Sequence, residues 1–423
     1  MTADSLVRIP TRLLRKGLYV ERLDRPWTDL PVLFQGLEIR TDDELAMLQR
    51  HCRHVYVLPE RTERDEDLVL SETAAEPPSD IAPTLGGERI PDFSTFAANV
   101  RAAARQRSEA ARFFKDALEE ASLGKFVHTR AARPVVEALA REIAVNGSAA
   151  MWLTSLHHKD ELNATHSVNV CVIALTLATY LGQPSEQIEE IGIGALLHDI
   201  GKVKLPRRIL TKPDPLTDDE RRMVDMHPWL GRKLVAETKD MTSWVRDIIW
   251  MHHEALDGSG YPRGLSGDQI PTHVRLVAIA NAYESLTSGR AHRQALRPDR
   301  ALNQLYADAS RTYGEDMFRA LIRCVGIYPV GSLVELDNGA LSVVIGSSPD
   351  ARLRPTVLLL RTPDGIYYQK RVVLNLAVDA DDEGRFQPRH VRRVVDPSEY
   401  DIDVGEIVAF EFGAEKELAE EEL

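Results

Sequence analysis

Seven residues between His166 and Asn281 have the types and spacing of a centre for two divalent cations: His166, His198-Asp199, His227, His252-His253 and Asn281. The histidines supply neutral nitrogen donors, and the aspartate supplies an anion able to bridge. Two such cations about 3.5–4 Å apart hold and acidify a shared water for attack on a phosphoester. At the last position, where a second carboxylate is expected, stands an asparagine. Its amide oxygen can ligate a metal but brings no charge, so a cation it ligates should be held more weakly and its water should be less acidic. Glu284 follows one turn later on roughly the same face, placed to compensate by reaching in.

His198-Asp199, followed by Ile200-Gly201-Lys202, is the strongest local signal. A His-Asp pair alone means little, but this one follows the apolar run Ala195-Leu196-Leu197, which argues for burial, and a helix C-terminus favours positive charge beside it. His252-His253 likewise closes the run Ile248-Ile249-Trp250-Met251. Adjacent side chains diverge by about 100° around a helix, so both reach one cation only at a helix end, which the turn Asp257-Gly258-Ser259-Gly260 supplies. His227, before Pro228, and His166, before Ser167, would each alone read as a structural histidine; their company marks them as ligands. Lys202 lies one helical turn beyond His198, and Arg290 and Arg293 follow the Asn281 helix. Singly these are ordinary surface charges, and together they offer an acidic chain a cationic pocket for phosphate.

The elements that must position these residues belong to a chain of 423 residues, long enough for two to four domains. The fold class expected is multidomain and mainly α, with a central all-α domain between a small N-terminal β-rich α+β domain and a small C-terminal β domain. Residues 1–62 mix short apolar runs with turns, and the capping-box spacing of Thr41 and Glu44 opens one helix near Thr41 to His51. Residues 63–92 read as a linker, with Pro77-Pro78, Pro83 and Gly86-Gly87 among acidic residues. Residues 93–146 are Ala/Arg/Glu-rich, with Phe113, Ala117 and Ala121 at helical spacing: either a dimer or relay element, or ordinary bundle helices. Residues 147–326 carry helix signals almost throughout. Ser185 is expected as an N-cap after Pro184, Thr217 with Glu220 as a capping box, and Gly201 as the close of the helix ending in His198-Asp199. Residues 327–412 alternate as strands around the hairpin turns Asp337-Asn338-Gly339 and Pro363-Asp364-Gly365, and 413–423 form an acidic solvated tail.

A net charge of −13 leaves no basic excess with which to grip long nucleic acid. The three cysteines, Cys52, Cys171 and Cys324, are far apart in apolar surroundings and read as buried thiols of a reducing compartment. The longest apolar run, Val168 to Leu181, is too short and too polar to span a bilayer. A cytoplasmic protein is expected.

His166-Ser167-Val168-Asn169-Val170, Leu196-Leu197-His198-Asp199-Ile200-Gly201-Lys202, His227-Pro228, His252-His253-Glu254 and Asp257-Gly258-Ser259-Gly260-Tyr261-Pro262 closely resemble the HD-GYP subgroup of HD-domain phosphohydrolases. The resemblance covers residues 147–326. Arg25-Pro26-Trp27, Phe34-Gln35-Gly36 and Val55-Tyr56-Val57 look like a domain of uncharacterised role that often precedes HD-GYP domains, and Ile327-Tyr328-Pro329-Val330-Gly331 is similar to the family's usual extension. The family implies a bacterial phosphodiesterase that linearises cyclic di-GMP to pGpG, in some members onward to GMP. By residue match His166, His198 and Asp199, with position 281, hold one cation; Asp199, His227, His252 and His253 hold the other. Iron or manganese is implied. Asp199 and Lys202 serve the attack, with Arg290 or Arg293 on the phosphoryl oxygens. The loop Gly260-Tyr261-Pro262 is linked in the family to diguanylate cyclase (GGDEF) partners, and reads equally as a rigid turn after a ligand helix.

Three departures stand out. Asn281-Ala282-Tyr283-Glu284 replaces the usual Asp-x-x-Asp, Leu162 stands where members with a third metal carry glutamate, and His292 stands where tyrosine is usual. Asn281 leaves open a degenerate HD-GYP protein that binds cyclic di-GMP or a partner and signals without cleaving. A phosphohydrolase for another nucleotide is a third reading. A homodimer through residues 93–144 is the quaternary expectation.

Overall fold

Alternation in a short apolar run buries one side of the chain and wets the other, and in His54–Val57 it is Val55 and Val57 that are buried. A computed structural model describes residues 7–11, 14–23, 37–39, 41–57, 93–124, 129–154, 164–238, 240–288, 295–346, 353–377, 390–400, 402 and 404. The chain divides into two compact units, Met1–Arg89 and Ile90–Leu423. The first is an antiparallel sheet of β1 (Val7–Pro10), β2 (Tyr19–Leu23), β3 (Leu37–Glu38) and β4 (His54–Val57) in the order β1-β4-β2-β3. Helix α1 (Asp42–His51) starts at Thr41, whose hydroxyl accepts from Glu44 N while the Glu44 carboxylate accepts from Thr41 N, the box its spacing announced.

The second unit opens with two long helices, α2 (Phe93–Ser122) and α3 (Thr129–Thr154). Helix α3 kinks at Asn146, whose side chain caps Ala149 N, so a new helical run begins there. Both helices spend their apolar faces within this unit: Val100, Phe114 and Ala121 on α2 and Val136, Leu139 and Ile143 on α3 are buried, and α3 packs on α4 (Ala164–Tyr180) and α5 (Ser185–Leu197). Helix α4 is the centre of the bundle. It is buried almost all round, with α5 and α10 (Thr272–Thr287) against it. Between them run α6 (Arg207–Leu210), α7 (Asp218–Val224), α8 (His227–Val235) and α9 (Ser243–Met251), and α11 (Pro298–Thr312) and α12 (Glu315–Val325) close the bundle. Thr217 and Glu220 form the expected box at the start of α7.

Two local expectations are corrected. The N-cap of α5 is Pro184 and Ser185 is its first residue; proline, already fixed at φ −57°, sets the entry without a side-chain cap bond. Gly201 does not close α5. That helix ends at Leu197, and Gly201 lies inside a 3₁₀ turn, Ile200–Lys204, with no left-handed φ. It is needed for closeness, since a Cβ there would collide with the backbone of His227 and Gly231.

The C-terminal strands β5 (Leu333–Leu336), β6 (Leu341–Gly346), β7 (Thr356–Arg361), β8 (Tyr367–Asn375) and β9 (Val391–Val394) form an antiparallel sheet in the order β8-β7-β6-β5-β9. Gly339 and Gly365 take the left-handed φ their hairpins demand, at 83° and 81°. Tyr328, Val334, Val344, Val357 and Val391 share this sheet's core, and β6 and β8 rest on α3 and α2. No described helix is long and apolar enough to cross a membrane. Residues 63–92, the Arg25-Pro26-Trp27 and Phe34-Gln35-Gly36 strings and the acidic tail lie outside the described residues.

The three cysteines are free thiols, with Cys171 and Cys52 buried and Cys324 partly so. Cys171 Sγ donates to Gly192 O at 3.3 Å across the α4–α5 contact, and burial pushes the Cys171 and Cys324 thiols up to about 12. At about pH 8 neither is a thiolate. Iodoacetamide is therefore expected to spare Cys171 and Cys324 in the native protein and to modify both in guanidinium, as read by peptide mass. Rapid native modification of Cys171 would contradict this packing of α4.

Candidate metal centre

Helix ends converge to make the site. His198 is the C-cap of α5, His252 the C-cap of α9, His227 the first residue of α8, and His166 lies in the first turn of α4. At such C-termini the last carbonyls lack helical partners, and the histidines take up carbonyls of the preceding turn. His198 Nδ1 lies 2.7 Å from Ala195 O, His227 Nδ1 2.7 Å from Val224 O and His252 Nδ1 3.1 Å from Ile248 O. A ring nitrogen facing a carbonyl carries the proton, so in all three the Nε2 lone pair is left for the centre.

Those lone pairs meet one carboxylate. Asp199 Oδ1 faces His227 Nε2 at 3.0 Å and His252 Nε2 at 3.8 Å, while Oδ2 faces His198 Nε2 at 3.3 Å and His166 Nε2 at 3.5 Å. His227 Nε2 is also 3.2 Å from His252 Nε2. These are acceptors gathered against acceptors: Asp199 Oδ1, His166 Nε2 and His198 Nε2 are buried and make no hydrogen bond. A cation placed among them would satisfy these lone pairs together. The donor atoms form two groups, Asp199-His227-His252-His253 and His166-His198-Asp199, each with its atoms within 4.8 Å of one another and with Asp199 common to both. Among the described residues the donor set therefore fits divalent metal binding, with Asp199 shared by both groups.

The electrostatics divide the histidines: burial would lower His166, yet the Glu284 and Asp199 carboxylates beside it raise it, whereas the others described here go down. Burial, with neighbouring imidazoles, holds His252 and His253 well below the ordinary imidazole range, so both are neutral donors. Burial also lowers His198 against the pull of Asp199. Burial opposes ionisation of Asp199, yet His198 and Lys202 beside it hold its carboxyl well below the usual range. The Lys202 ammonium pairs with Asp199 Oδ2, so the cation expected to meet phosphate stands at the centre itself.

The Gly260-Tyr261-Pro262 loop folds back on the end of α9. Tyr261 N donates to His253 O at 3.1 Å, and the Tyr261 ring stacks on the His253 ring at 4.6 Å and 22°. Buried Glu254 accepts from Arg263 N and Leu265 N, both at 2.8 Å, and the Arg263 guanidinium lies over Trp250 at 4.7 Å. At Gly260 a Cβ would strike the backbone of His253 to Ala255. This is a pinned turn that buttresses the His253 ring.

The profile of the HD domain family matches residues 150–317, and that of a domain of unknown function, DUF3391, matches residues 6–132. The chain is 33% identical over 353 residues to the cyclic di-GMP phosphodiesterase PA4108 of Pseudomonas aeruginosa, an alignment covering 83% of this chain and 84% of that protein. The chain belongs to the HD-GYP family. Within it, the chain is 38% identical over 152 residues to the cyclic di-GMP phosphodiesterase response regulator RpfG of Xanthomonas campestris, covering 36% of this chain and 40% of that one. It is 31% identical over 171 residues to the 3'3'-cGAMP-specific phosphodiesterase 3 of Vibrio cholerae, covering 40% and 37%.

In this HD-GYP chain the structure brings together His166, His198, Asp199, Lys202, His227, His252 and His253. Asn281 is buried on α10, its Oδ1 accepting from Ser285 Oγ at 3.3 Å. Glu284 does reach inward, but to a histidine: its Oε2 bonds His166 Nδ1, and its Oε1 accepts from Asn169 Nδ2 at 3.2 Å and Ser288 Oγ at 2.6 Å. Burial would raise its carboxyl, yet His166 and these two donors bring it down to about 2. Arg290, Arg293, His292 and Leu162 lie outside the described residues. Asn169 and Ser288 had passed unnoticed in the sequence. Their signal was spacing, His166 to Asn169 and Glu284 to Ser288 being one helical turn each.

Proposed function

We propose that this HD-GYP protein is a cyclic di-GMP phosphodiesterase that opens the ring to linear pGpG. The observation that carries the reading is the gathering of buried imidazole and carboxylate lone pairs around Asp199. His166, His198 and Asp199, with Asn281 by residue match, would hold one cation, and Asp199, His227, His252 and His253 the other. Two iron or manganese ions bound there would supply Lewis acidity toward a phosphoryl oxygen and make an attacking water more acidic. In the hydrolysis water adds to phosphorus and the bond to one ribose O3' breaks; the proton from water passes to that oxygen, leaving a 5'-phosphate and a free 3'-hydroxyl. Asp199 carries the buried negative charge of the centre. Lys202 places an ammonium where charge develops on the phosphoryl oxygens, and Arg290 and Arg293 are proposed to hold the diester. The Tyr261 stack keeps the His253 ring from turning, which supports the rigid-turn role of the loop.

The second reading, a binding module that does not cleave, is favoured by Asn281, an uncharged amide already engaged by Ser285. Full-length protein loaded anaerobically with Mn(II) decides between them when given cyclic di-GMP, 3'3'-cGAMP and pGpG in parallel with products followed by chromatography. Cyclic di-GMP is expected to turn over to pGpG. A preference for 3'3'-cGAMP beyond about tenfold would overturn the substrate assignment, and binding without product would establish the module. Asn281→Asp restores a charged oxygen and is expected to raise turnover by about tenfold or more through tighter first-cation binding. An unchanged or lower rate would show that position 281 is outside the centre.

A further inference from the structure

Three of the histidines orient themselves on backbone carbonyls, which carry no net charge, whereas the His166 ring is held by a buried carboxylate. That carboxylate, Glu284, is 2% exposed and has both oxygens in use, Oε2 on His166 and Oε1 shared by Asn169 and Ser288. Its donors come from both packed helices, since Asn169 lies with His166 on α4 and Ser288 caps α10. A carboxylate so committed has no oxygen turned toward a cation. What it can do is fix the proton of His166 on Nδ1, aim Nε2 alongside Asp199 Oδ2 at 3.5 Å, and raise the basicity of the ring it holds.

We infer that Glu284 is a positioning residue for the first cation: it acts through His166 and brings its negative charge to that cation by way of the imidazole. The inference rests on the metal-centre reading of the proposed function. The acid of α10 that remains, one turn beyond Asn281, thus stands behind the His166 ring.

The test is Mn(II) binding, independent of turnover, on chelator-stripped full-length protein titrated with Mn(II) and followed by electron paramagnetic resonance. Glu284→Gln keeps an oxygen for the His166 N–H and removes the charge. It is expected to weaken one of the two Mn(II) equivalents by about 10–100-fold and leave the other unchanged. In a His166→Ala background the same substitution is expected to change nothing further, because its effect passes through that ring. Glu284→Asp, which keeps the charge but draws it back from His166, is expected to weaken the same equivalent, and it carries the test if the glutamine variant does not fold. Unchanged Mn(II) affinity in either folded variant would reduce Glu284 to a tie between α4 and α10. A further loss in the His166→Ala background would make it a direct ligand. Both outcomes overturn the inference, and failure of the unsubstituted protein to take up any Mn(II) instead overturns the metal-centre reading beneath it.

Discussion

Asp199→Asn is expected to empty both cation positions and to lower turnover by about 10³-fold or more. Asp199 is the one residue common to the two donor groups, with Oδ1 toward His227 and His252 and Oδ2 toward His166 and His198. An amide at this position offers one oxygen where two are used, and turns an N–H₂ toward lone pairs that need a cation. It also removes the partner of Lys202. Loss of a single electrostatic group in a buried site is worth about 10²–10³ in rate, and here the same change withdraws the metals. Metal content by mass spectrometry, with turnover measured on the same sample, checks it. An Asp199→Asn protein that keeps two equivalents would show that the histidines alone form the centre.

Gly201→Ala is expected to damage the site without touching any ligand. The added methyl would meet Gly231 N at 2.5 Å and Gly231 Cα at 3.0 Å, with the His227 carbonyl closer still, and all three are backbone that cannot rotate aside. The 3₁₀ turn and α8 must therefore separate, which carries His227 away from Asp199. Forced overpacking of this kind costs about 1–3 kcal/mol, and for a large domain each kcal/mol lowers the melting temperature by about 2–4 °C. A fall of several degrees together with loss of one Mn(II) equivalent is the expected result, read by thermal unfolding and metal titration. An alanine variant that melts and loads as the unsubstituted protein does would contradict the close approach of the turn to α8.

Much of this was legible in the residues. His198-Asp199 and His252-His253 each follow an apolar run, and the run told that a buried helix ends there; the structure puts both histidine C-caps at that end. The boxes at Thr41 and Thr217 and the turns at Gly339 and Gly365 were readable because capping and hairpin chemistry is local. Gly201 was misread for the opposite reason. Its constraint comes from α8, 26 residues further on at His227, and no local pattern distinguishes a glycine that ends a helix from one that lets a distant backbone approach. Glu284 shows the same limit in the site. Spacing placed it on the inward face of α10, but whether its carboxylate meets a cation or the back of a ligand ring depends on where α4 sets His166. The role of residues 93–146 was open between a dimer or relay element and ordinary bundle helices, and Val100, Phe114, Val136 and Ile143 are buried within the unit.

The most direct measurement is a Mn(II) titration of chelator-stripped full-length protein under anaerobic conditions, with bound metal and linear product from cyclic di-GMP followed on the same samples. Product is expected to be absent from the stripped protein, to rise as the second equivalent binds, and to stay absent from Asp199→Asn at every metal concentration. Product from the stripped protein, or two bound equivalents with none, would contradict a two-cation phosphodiesterase built around Asp199.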